Sequence, residues 1–223
     1  MGLQRILPAA LVAAVYFALS APDAAAADCQ APEDAPGYQI NVDVDIGQPT
    51  IYNHRTKAQL GSSNAHGRRR QILGTMQGDV DLRWFISYKV EPFGNHNCFW
   101  VAAVNVELSY HQLDVNIAAE YEPGSCQYEA ILDHEKEHVQ VAQRILSPYA
   151  QQIRQALTTL SIPTRDLPAL ADSPEQARAQ VQAVLRQTLV PVHNQMNQIV
   201  REQQADVDTL ENYRRTWRQC RRW

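Results

Sequence analysis

The sequence predicts an α+β domain in which a strand-forming half precedes a helical half. Between about residues 38 and 121, apolar residues alternate with polar ones in several segments, which is the pattern of half-buried strands. After the turn-forming segment 123–125 the apolar residues recur at helical spacing, which predicts helices over about 126–160 and 174–218. This order indicates an antiparallel β meander packed against two long helices.

The strand pattern is carried by several separate segments. Residues 38–46 and 80–90 each place apolar side chains on one face and mostly polar ones on the other. Residues 98–110 have one fully apolar face and a mixed second face, which predicts a central position in the sheet. Two shorter strands are expected over 113–117 and 71–76.

The helix boundaries follow from caps and prolines. Ser125 is a candidate N-cap for the first long helix, which Pro148 is expected to kink or split. A proline-bearing loop is predicted over 162–172. Ser173, followed by proline and then by glutamine at the third helical position, forms a capping box that starts the second long helix, with a further kink expected at Pro191.

The first residues predict an exported protein. Arg5, an apolar run over 6–21 and an alanine-rich segment over 24–27 supply the three parts of a signal peptide. We expect residues 1–27 to be removed and residues 28–223 to fold as one domain in the periplasm or outside the cell. An uncleaved signal anchor is the alternative, and no other stretch is apolar and long enough to cross a bilayer.

The overall charge gives no reason to expect a nucleic-acid partner. The chain carries a formal net charge of -4 and has a pI near 6.0. Its two basic clusters, at 68–70 and among the arginines between 214 and 222, are typical of a solvated loop and of a helix C-terminus.

Four cysteines follow the signal peptide, and an even number in an exported chain predicts two disulfides. Cys98 lies at the start of a predicted strand and Cys126 at the start of a predicted helix, so we expect these two to pair. Cys29 would then bind Cys220 and tie the mature N-terminus to the other end of the chain. None of the four belongs to a C-x-x-C motif, which argues against zinc ligation by sulfur.

The most specific chemistry lies in the segment 134–138, which reads His-Glu-Lys-Glu-His inside a predicted helix. Residues four apart lie on one face of a helix, so both imidazoles can bind one metal ion while Glu135 lies beside them. Val141 and Ile145 continue the histidine face, which indicates a buried stripe rather than a solvated surface. This H-E-x-x-H pattern is typical of zinc peptidases.

A catalytic zinc needs a third protein ligand besides His134 and His138, with one position left open for water. The extended metzincin pattern would require glycine and histidine where this chain has Val141 and Arg144, so the third ligand must come from the later helix. The candidates there are His193, Glu202, Asp206, Asp208 and Glu211.

Helix geometry alone favours two of these candidates. If the helices pack antiparallel about a loop centred near residue 167, residue 138 faces about residue 196 and residue 134 faces about residue 200. This favours His193 or Glu202 as the third ligand. The prolines and the long loop leave the register open by several turns.

Several segments together resemble a known family. The segment 124–128 reads Gly-Ser-Cys-x-Tyr, and 131–139 reads Ile-Leu-x-His-Glu-x-x-His-Val; Val-Asp-Thr at 207–209 and Tyr213 follow far downstream. Over about 38–220 the chain resembles a bacterial family of predicted secreted zinc-dependent proteases with an H-E-x-x-H motif. The resemblance implies a small zincin-like domain that binds Zn²⁺.

The resemblance also implies a different third ligand. In such sequences an acidic residue beside threonine recurs in the last helix, with a further acidic residue or histidine shortly after it. Here these positions are Asp208 and Glu211, three apart and expected on one helix face. One would bind zinc and the other would either serve as the alternative ligand or hydrogen-bond a ligating imidazole.

These expectations point to a peptidase that acts on a polypeptide substrate, with Glu135 as the general base that takes a proton from the attacking water. Tyr213 or His193 could stabilise the oxyanion, and the substrate could add as a strand to an exposed sheet edge. The alternative is a non-catalytic, zinc-stabilised binding module of the envelope, closed by four protein ligands. A third possibility is hydrolysis of peptide crosslinks in the cell wall.

Overall fold

The structure is a computed structural model that describes residues 29–65 and 68–223. It confirms the α+β architecture, with a curled sheet and four helices in this part of the chain. The elements in chain order are β1 (Gln39–Asp45), β2 (Thr50–Tyr52), α1 (Lys57–Leu60), β3 (Ser62–Ala65), β4 (Arg68–Gln71), β5 (Gly74–Phe93), β6 (His96–Ile117), α2 (Cys126–Thr158), β7 (Ala169–Ala171), α3 (Pro174–Val207) and α4 (Leu210–Arg218).

The long strand β6 is the centre of the five-stranded main sheet. β5 pairs with it in antiparallel register along almost its whole length, while β1, β2 and β7 pair with its other edge. Both β1 and β2 run parallel to β6, so the expected purely antiparallel meander is wrong. Parallel pairing is possible because the long strand β5 lies between these two strands and β6 in the chain. β5 runs in the opposite direction, so β6 returns in the direction of β1 and β2.

Two predicted strand pairs are in fact single strands. The segments 98–110 and 113–117 belong to β6, which continues through Gln112 at a φ of 54°. Across from it, the register of β5 shifts between Gln77 and Asp79. This irregularity explains why the sequence pattern breaks although the pairing does not. Likewise, 80–90 lies inside the longer β5, which also contains residues 74–76 of the short strand expected over 71–76.

Both long helices continue through their internal prolines, so Pro148 does not split α2. Each helix buries one face against the sheet and against the other helix. α2 contributes Val141, Ile145 and Leu146 to the main core cluster, and α3 contributes Leu185 and Leu189. This extensive burial outweighs the hydrogen bond that a proline removes from a helix.

The helix predicted over 174–218 breaks before its end. α3 stops at Val207, Asp208 occupies its C-cap position, and Thr209 is the N-cap of α4, where its side chain accepts a hydrogen bond from the backbone N–H of Asn212. The Asn212 side chain also donates to the backbone carbonyl of Val207. Asp208 therefore lies at a stabilised corner between two helices.

The loop predicted over 162–172 contains the short strand β7, which pairs with the start of β6. The chain therefore leaves the helical layer and returns to it between α2 and α3. This detour makes the connection asymmetric, so counting residues from its centre does not give the helix register.

The expected disulfide pairing is wrong. Cys29 is bonded to Cys98, and Cys126 is bonded to Cys220, with Cα–Cα distances of 5.6 and 5.8 Å. The segment around Cys29 packs against the start of β6, and the segment around Cys220 returns to the start of α2. Each cysteine thus pairs with the segment that the tertiary fold brings beside it.

Among residues 29–65 and 68–223, the helices are all too short or too polar to cross a membrane. The two disulfides are consistent with export to an oxidising compartment. The predicted signal peptide, residues 1–27, lies outside the described residues.

Candidate metal centre

His134 and His138 lie on the buried face of α2, as the sequence pattern predicts. Their exposed fractions are 7% and 8%. The helix starts at the N-cap Ser125, whose side chain accepts a hydrogen bond from the backbone N–H of Tyr128. Because α2 is regular through the motif, the two rings lie one turn apart, with their centroids separated by 5.0 Å.

Asp208 completes a group of three possible metal ligands. Its Oδ1 atom lies 3.3 Å from Nε2 of His134 and 3.3 Å from Nε2 of His138. All three ligand atoms lie within 4.8 Å of one another. Bonds of about 2.0–2.1 Å to a tetrahedral zinc place neighbouring ligand atoms about 3.3 Å apart, so these separations fit one bound ion.

Gln204 on α3 fixes which nitrogen of His138 faces Asp208. The Gln204 side-chain nitrogen donates to the backbone carbonyl of His138 at 3.0 Å, so its oxygen is the atom that accepts from Nδ1 of the ring. A neutral His138 then presents a lone pair at Nε2 to the carboxylate of Asp208. Nε2 of His138 and Oδ1 of Asp208 can lie this close when the ring is protonated and donates a hydrogen bond, or when both atoms bind one metal ion.

Tyr213 on α4 holds Asp208 and His134 in place. Its hydroxyl donates to Oδ1 of Asp208 at 2.7 Å, and its ring packs against the ring of His134 at 5.2 Å. Nδ1 of His134 is buried and makes no hydrogen bond to the described residues, so ring packing, not a hydrogen bond at this atom, orients this imidazole. Tyr213 therefore orients two of the three candidate ligands, Asp208 by a hydrogen bond and His134 by ring packing.

Asp208 is held in its charged form. Partial burial alone would raise its pKa, but the hydrogen bonds from His134, His138 and Tyr213 hold the pKa of this carboxyl well below its usual range. An ionised carboxylate is the form that binds a metal ion.

Glu135 lies beside the ligands, beneath the first residues of β5, and is only 4% exposed. The backbone N–H of Met76 hydrogen-bonds to its carboxylate, and a Cβ atom added to Gly74 would lie 2.7 Å from its Oε1. Burial raises the pKa of Glu135 to about 7, against the opposing effects of His138 and His134. A carboxyl poised near neutral pH can accept and release a proton, as a general base must.

The close approach at Gly74 gives a testable prediction. We expect Gly74→Ala to displace Glu135, because the added methyl group would also lie 2.6 Å from Cγ2 of Ile131. Overpacking of this kind costs about 1–3 kcal/mol. Thermal unfolding should report the loss of stability, while zinc binding should persist because no ligand is replaced.

Gly37→Ala is the matched control, since a Cβ atom there meets nothing within 4 Å. Equal stability of wild type and Gly74→Ala, with unchanged hydrolytic activity, would show that Gly74 does not restrain Glu135.

The ligands and Glu135 open onto a cleft of about 740 Å³. The first residues of β5, from Gly74 to Val80, form one wall. The second half of α3 and α4 form the other, so the cleft separates the sheet edge from the helices. A volume of this size lies within the range of ligand-binding clefts.

The disulfide between Cys126 and Cys220 joins the start of the motif helix to the end of α4. The same region is held by Gln127, whose side chain donates to the backbone carbonyl of Arg222, and by an ion pair between Arg215 and Glu137. Together these contacts fix α4 on α2, and thereby fix Tyr213 and Asp208 beside the histidines.

Removal of this disulfide should weaken metal binding as well as the fold. We expect replacement of both Cys126 and Cys220 by alanine to lower the free energy of unfolding by about 2–5 kcal/mol and zinc affinity by about ten-fold or more, because α4 would no longer be tied to α2. Competition with a zinc-binding dye measures the second effect.

The other disulfide is a matched control, because the 69-residue separation of Cys29 and Cys98 is of the same order as the 94-residue separation of Cys126 and Cys220. Replacing Cys29 and Cys98 by alanine should destabilise the fold and leave zinc affinity unchanged. Equal zinc affinities in both double variants would contradict the clamping role of Cys126 and Cys220.

The other sequence candidates lie apart from this group of ligands. His193 hydrogen-bonds through Nε2 to the backbone carbonyl of Val80 at 3.0 Å, and Glu202 accepts from the side chain of Gln198. Asp206 and Glu211 are exposed. The corner at Asp208 also separates Asp208 from Glu211, so the two do not share one helix face as expected.

The antiparallel helix packing about residue 167, which favoured His193 and Glu202, is wrong in register. His138 contacts Gln204 and not a residue near 196, a difference of about 12 Å along the helix. The asymmetric connection through β7 explains the shift. Gln204, Gly74 and Met76 carry no recognisable local signal, since a helical glutamine, a strand glycine and a backbone N–H are ordinary features of a sequence.

No protein-family model, curated protein or solved structure matches this chain. The resemblance to secreted zinc-dependent proteases therefore stays a prediction. The arrangement of His134, His138, Asp208 and Glu135 is the observation from which a function can be argued.

Proposed function

We propose that this protein is an exported zinc-dependent peptidase. The observation that carries the proposal is the convergence of His134, His138 and Asp208 at the wall of an open cleft, with the buried Glu135 beside them. Two imidazoles and one carboxylate, with a neighbouring glutamate, form the ligand and base set of a hydrolytic zinc site.

The donor atoms support zinc over calcium or magnesium. Two of the three candidate ligand atoms are imidazole nitrogens, whereas calcium and magnesium prefer oxygen ligands. When bound, Zn²⁺ acts as a Lewis acid that activates water near neutral pH and polarises a carbonyl group.

Glu135 is the general base of the proposed reaction. It accepts a proton from the attacking water and delivers it to the nitrogen of the leaving amine as the C–N bond breaks. Burial raises the pKa of Glu135 above that of an exposed glutamate, which makes its carboxylate a better proton acceptor. The N–H of Met76 holds the carboxylate in one orientation.

The alternative of a closed, non-catalytic zinc site needs a fourth protein ligand. Among the described residues, the group of potential ligands consists of His134, His138 and Asp208. Glu211, the other acidic candidate of the last helix, is exposed in the first turn of α4. This arrangement favours a site with a position open to water and substrate, and hence the peptidase.

An extended polypeptide is the substrate class that suits the cleft. Within the described part of the chain β5 pairs only with β6, so its other edge faces the cleft. That edge is partly used, because the N–H of Met76 binds Glu135 and the carbonyl of Val80 binds His193. A substrate strand would therefore form few backbone hydrogen bonds, and side-chain contacts would have to provide much of its affinity.

Removal of the metal tests the proposal directly. We expect the purified mature domain to cleave an unfolded protein such as casein, to lose this activity after treatment with a chelator, and to regain it with about one equivalent of zinc. Mass spectrometry of the released peptides identifies hydrolysed peptide bonds. A fully zinc-loaded, folded domain that cleaves no polypeptide, and no cell-wall peptide, would overturn the proposal.

A further inference from the structure

The cleft has chemically different ends on the two sides of the candidate ligands. α4 and the two residues after it run along α2 from Tyr213, beside His134, to Cys220, which is bonded to Cys126. α3 approaches from the opposite side, where Gln204 contacts His138 and the preceding Gln203 contacts Arg144. Residues of α4 and of α3 before Gln203 therefore lie on opposite sides of the site along the α2 axis.

An exposed tryptophan occupies the end formed by α4. Trp217 lines the cleft, is 41% exposed and lies 6.5 Å from the ring of Tyr213, measured between centroids. Its backbone carbonyl accepts a hydrogen bond from the side chain of Trp223, which fixes this part of the chain. A tryptophan held half-exposed at the wall of a cleft offers a large rigid surface to an apolar or aromatic group.

An exposed arginine occupies the end formed by α3. Arg201 lines the cleft about two helical turns before Asp208. Among the described side chains no carboxylate is ion-paired with Arg201. A guanidinium exposed in this way can bind a carboxylate through two parallel hydrogen bonds.

We propose that the cleft selects peptides that carry a large apolar side chain on one side of the cleaved bond and a carboxylate on the other. Trp217 would contact the apolar side chain, and Arg201 would bind the carboxylate. This inference rests on the proposed peptidase function and specifies its substrate class.

The carboxylate has two possible sources, an acidic side chain or the free C-terminus of the substrate. An extended peptide advances about 3.3 Å per residue, so a carboxylate bound by Arg201 lies within about three residues of the cleaved bond. Asp79 lines the same cleft from the β5 wall. If Asp79 rather than Arg201 bound the substrate at this end, a peptide with lysine in place of the carboxylate would bind more tightly.

The test measures peptide binding separately from cleavage. Zinc-loaded Glu135→Gln is titrated calorimetrically with peptides that carry a phenylalanine on one side of the central bond and, on the other, glutamate, glutamine or lysine within three residues. Each peptide is made with a free and with an amidated C-terminus. We expect a carboxylate in one of these positions to increase affinity by about ten-fold or more over its neutral counterpart.

Variants in the same Glu135→Gln background assign the two contacts. Arg201→Ala should abolish the preference for a carboxylate, and Arg201→Glu should reverse it in favour of lysine. Arg186→Ala, an exposed arginine on the same helix outside the cleft, is the control and should retain it. Trp217→Ala should weaken binding of the phenylalanine peptides by about ten-fold, whereas Phe85→Ala, on a side chain 60% exposed outside the cleft, should not.

The inference is overturned if Glu135→Gln binds none of the peptides, if carboxylate, amide and lysine peptides bind equally, or if Arg201→Ala keeps the preference. Failure of the peptidase proposal has a different signature. In that case the peptides bind Glu135→Gln with the expected preference, but zinc-loaded wild type does not cleave them. Cleavage by wild type of every peptide at the same rate would retain the peptidase and reject the selectivity.

Discussion

Replacing Asp208 with alanine is expected to remove stoichiometric zinc binding. Asp208 provides the only oxygen in the group of three candidate ligand atoms, and its Oδ1 lies 3.3 Å from both histidine nitrogens. Loss of a group that merely supports a ligand lowers metal affinity by about 10- to 100-fold, so loss of a ligand should lower it by more than about 100-fold. Zinc analysis after dialysis, together with a competitive dye titration, gives both stoichiometry and affinity.

Matched acidic residues on the same part of the chain serve as controls. Glu211→Ala and Asp206→Ala each remove one exposed carboxylate close in sequence to Asp208, and both should keep full zinc content. Asp208→Asn, which keeps the shape of the side chain but not its charge, should fall between wild type and Asp208→Ala. If Asp208→Ala kept its full zinc content and Glu211→Ala lost its zinc, the third ligand would be Glu211 and not Asp208.

Replacing Glu135 with glutamine is expected to abolish hydrolysis while leaving zinc bound. Glutamine keeps the size of the side chain beneath Gly74 but cannot accept a proton from water. General-base catalysis contributes about 10²- to 10⁴-fold to the rate, so cleavage of a casein substrate should fall by at least that factor. Because His134, His138 and Asp208 are unchanged, zinc content should equal that of the wild type.

Glu129→Gln is the control for this substitution, since Glu129 lies exposed in the first turn of the same helix. Its activity should equal that of the wild type. If Glu135→Gln retains full activity with zinc bound, another group accepts the proton and the assigned role of Glu135 is incorrect. If Glu135→Gln loses its zinc, the loss of activity carries no information about the base, and the glutamate would have to be counted among the metal-holding groups.

Local sequence signals account for the part of the site that lies on α2. Helical spacing places His134 and His138 on one face, and the apolar residues that continue this face predict its burial. The N-caps at Ser125 and Ser173 follow from the hydrogen-bonding preference of serine and are present in the structure. These features depend only on residues within a few turns of one another.

The remaining features depend on pairing between distant segments, which local patterns do not determine. The disulfide partner of Cys126 is set by the return of the chain at Cys220, and the partner of His138 is set by the register of α3. That register depends on β7, a strand too short to carry a clear alternating pattern. The position of Asp208 likewise depends on a helix break that the continuous apolar spacing from 174 to 218 conceals.

The central claim is that one zinc ion is bound by His134, His138 and Asp208. A crystal structure of the zinc-loaded domain, residues 28–223, with anomalous diffraction data collected on both sides of the zinc absorption edge, tests it most directly. The account predicts a single strong anomalous peak about 2.0–2.2 Å from Nε2 of each histidine and from a carboxylate oxygen of Asp208, with the remaining position open to the cleft. A peak elsewhere, or one at the histidines with Glu211 in place of Asp208, would contradict the claim.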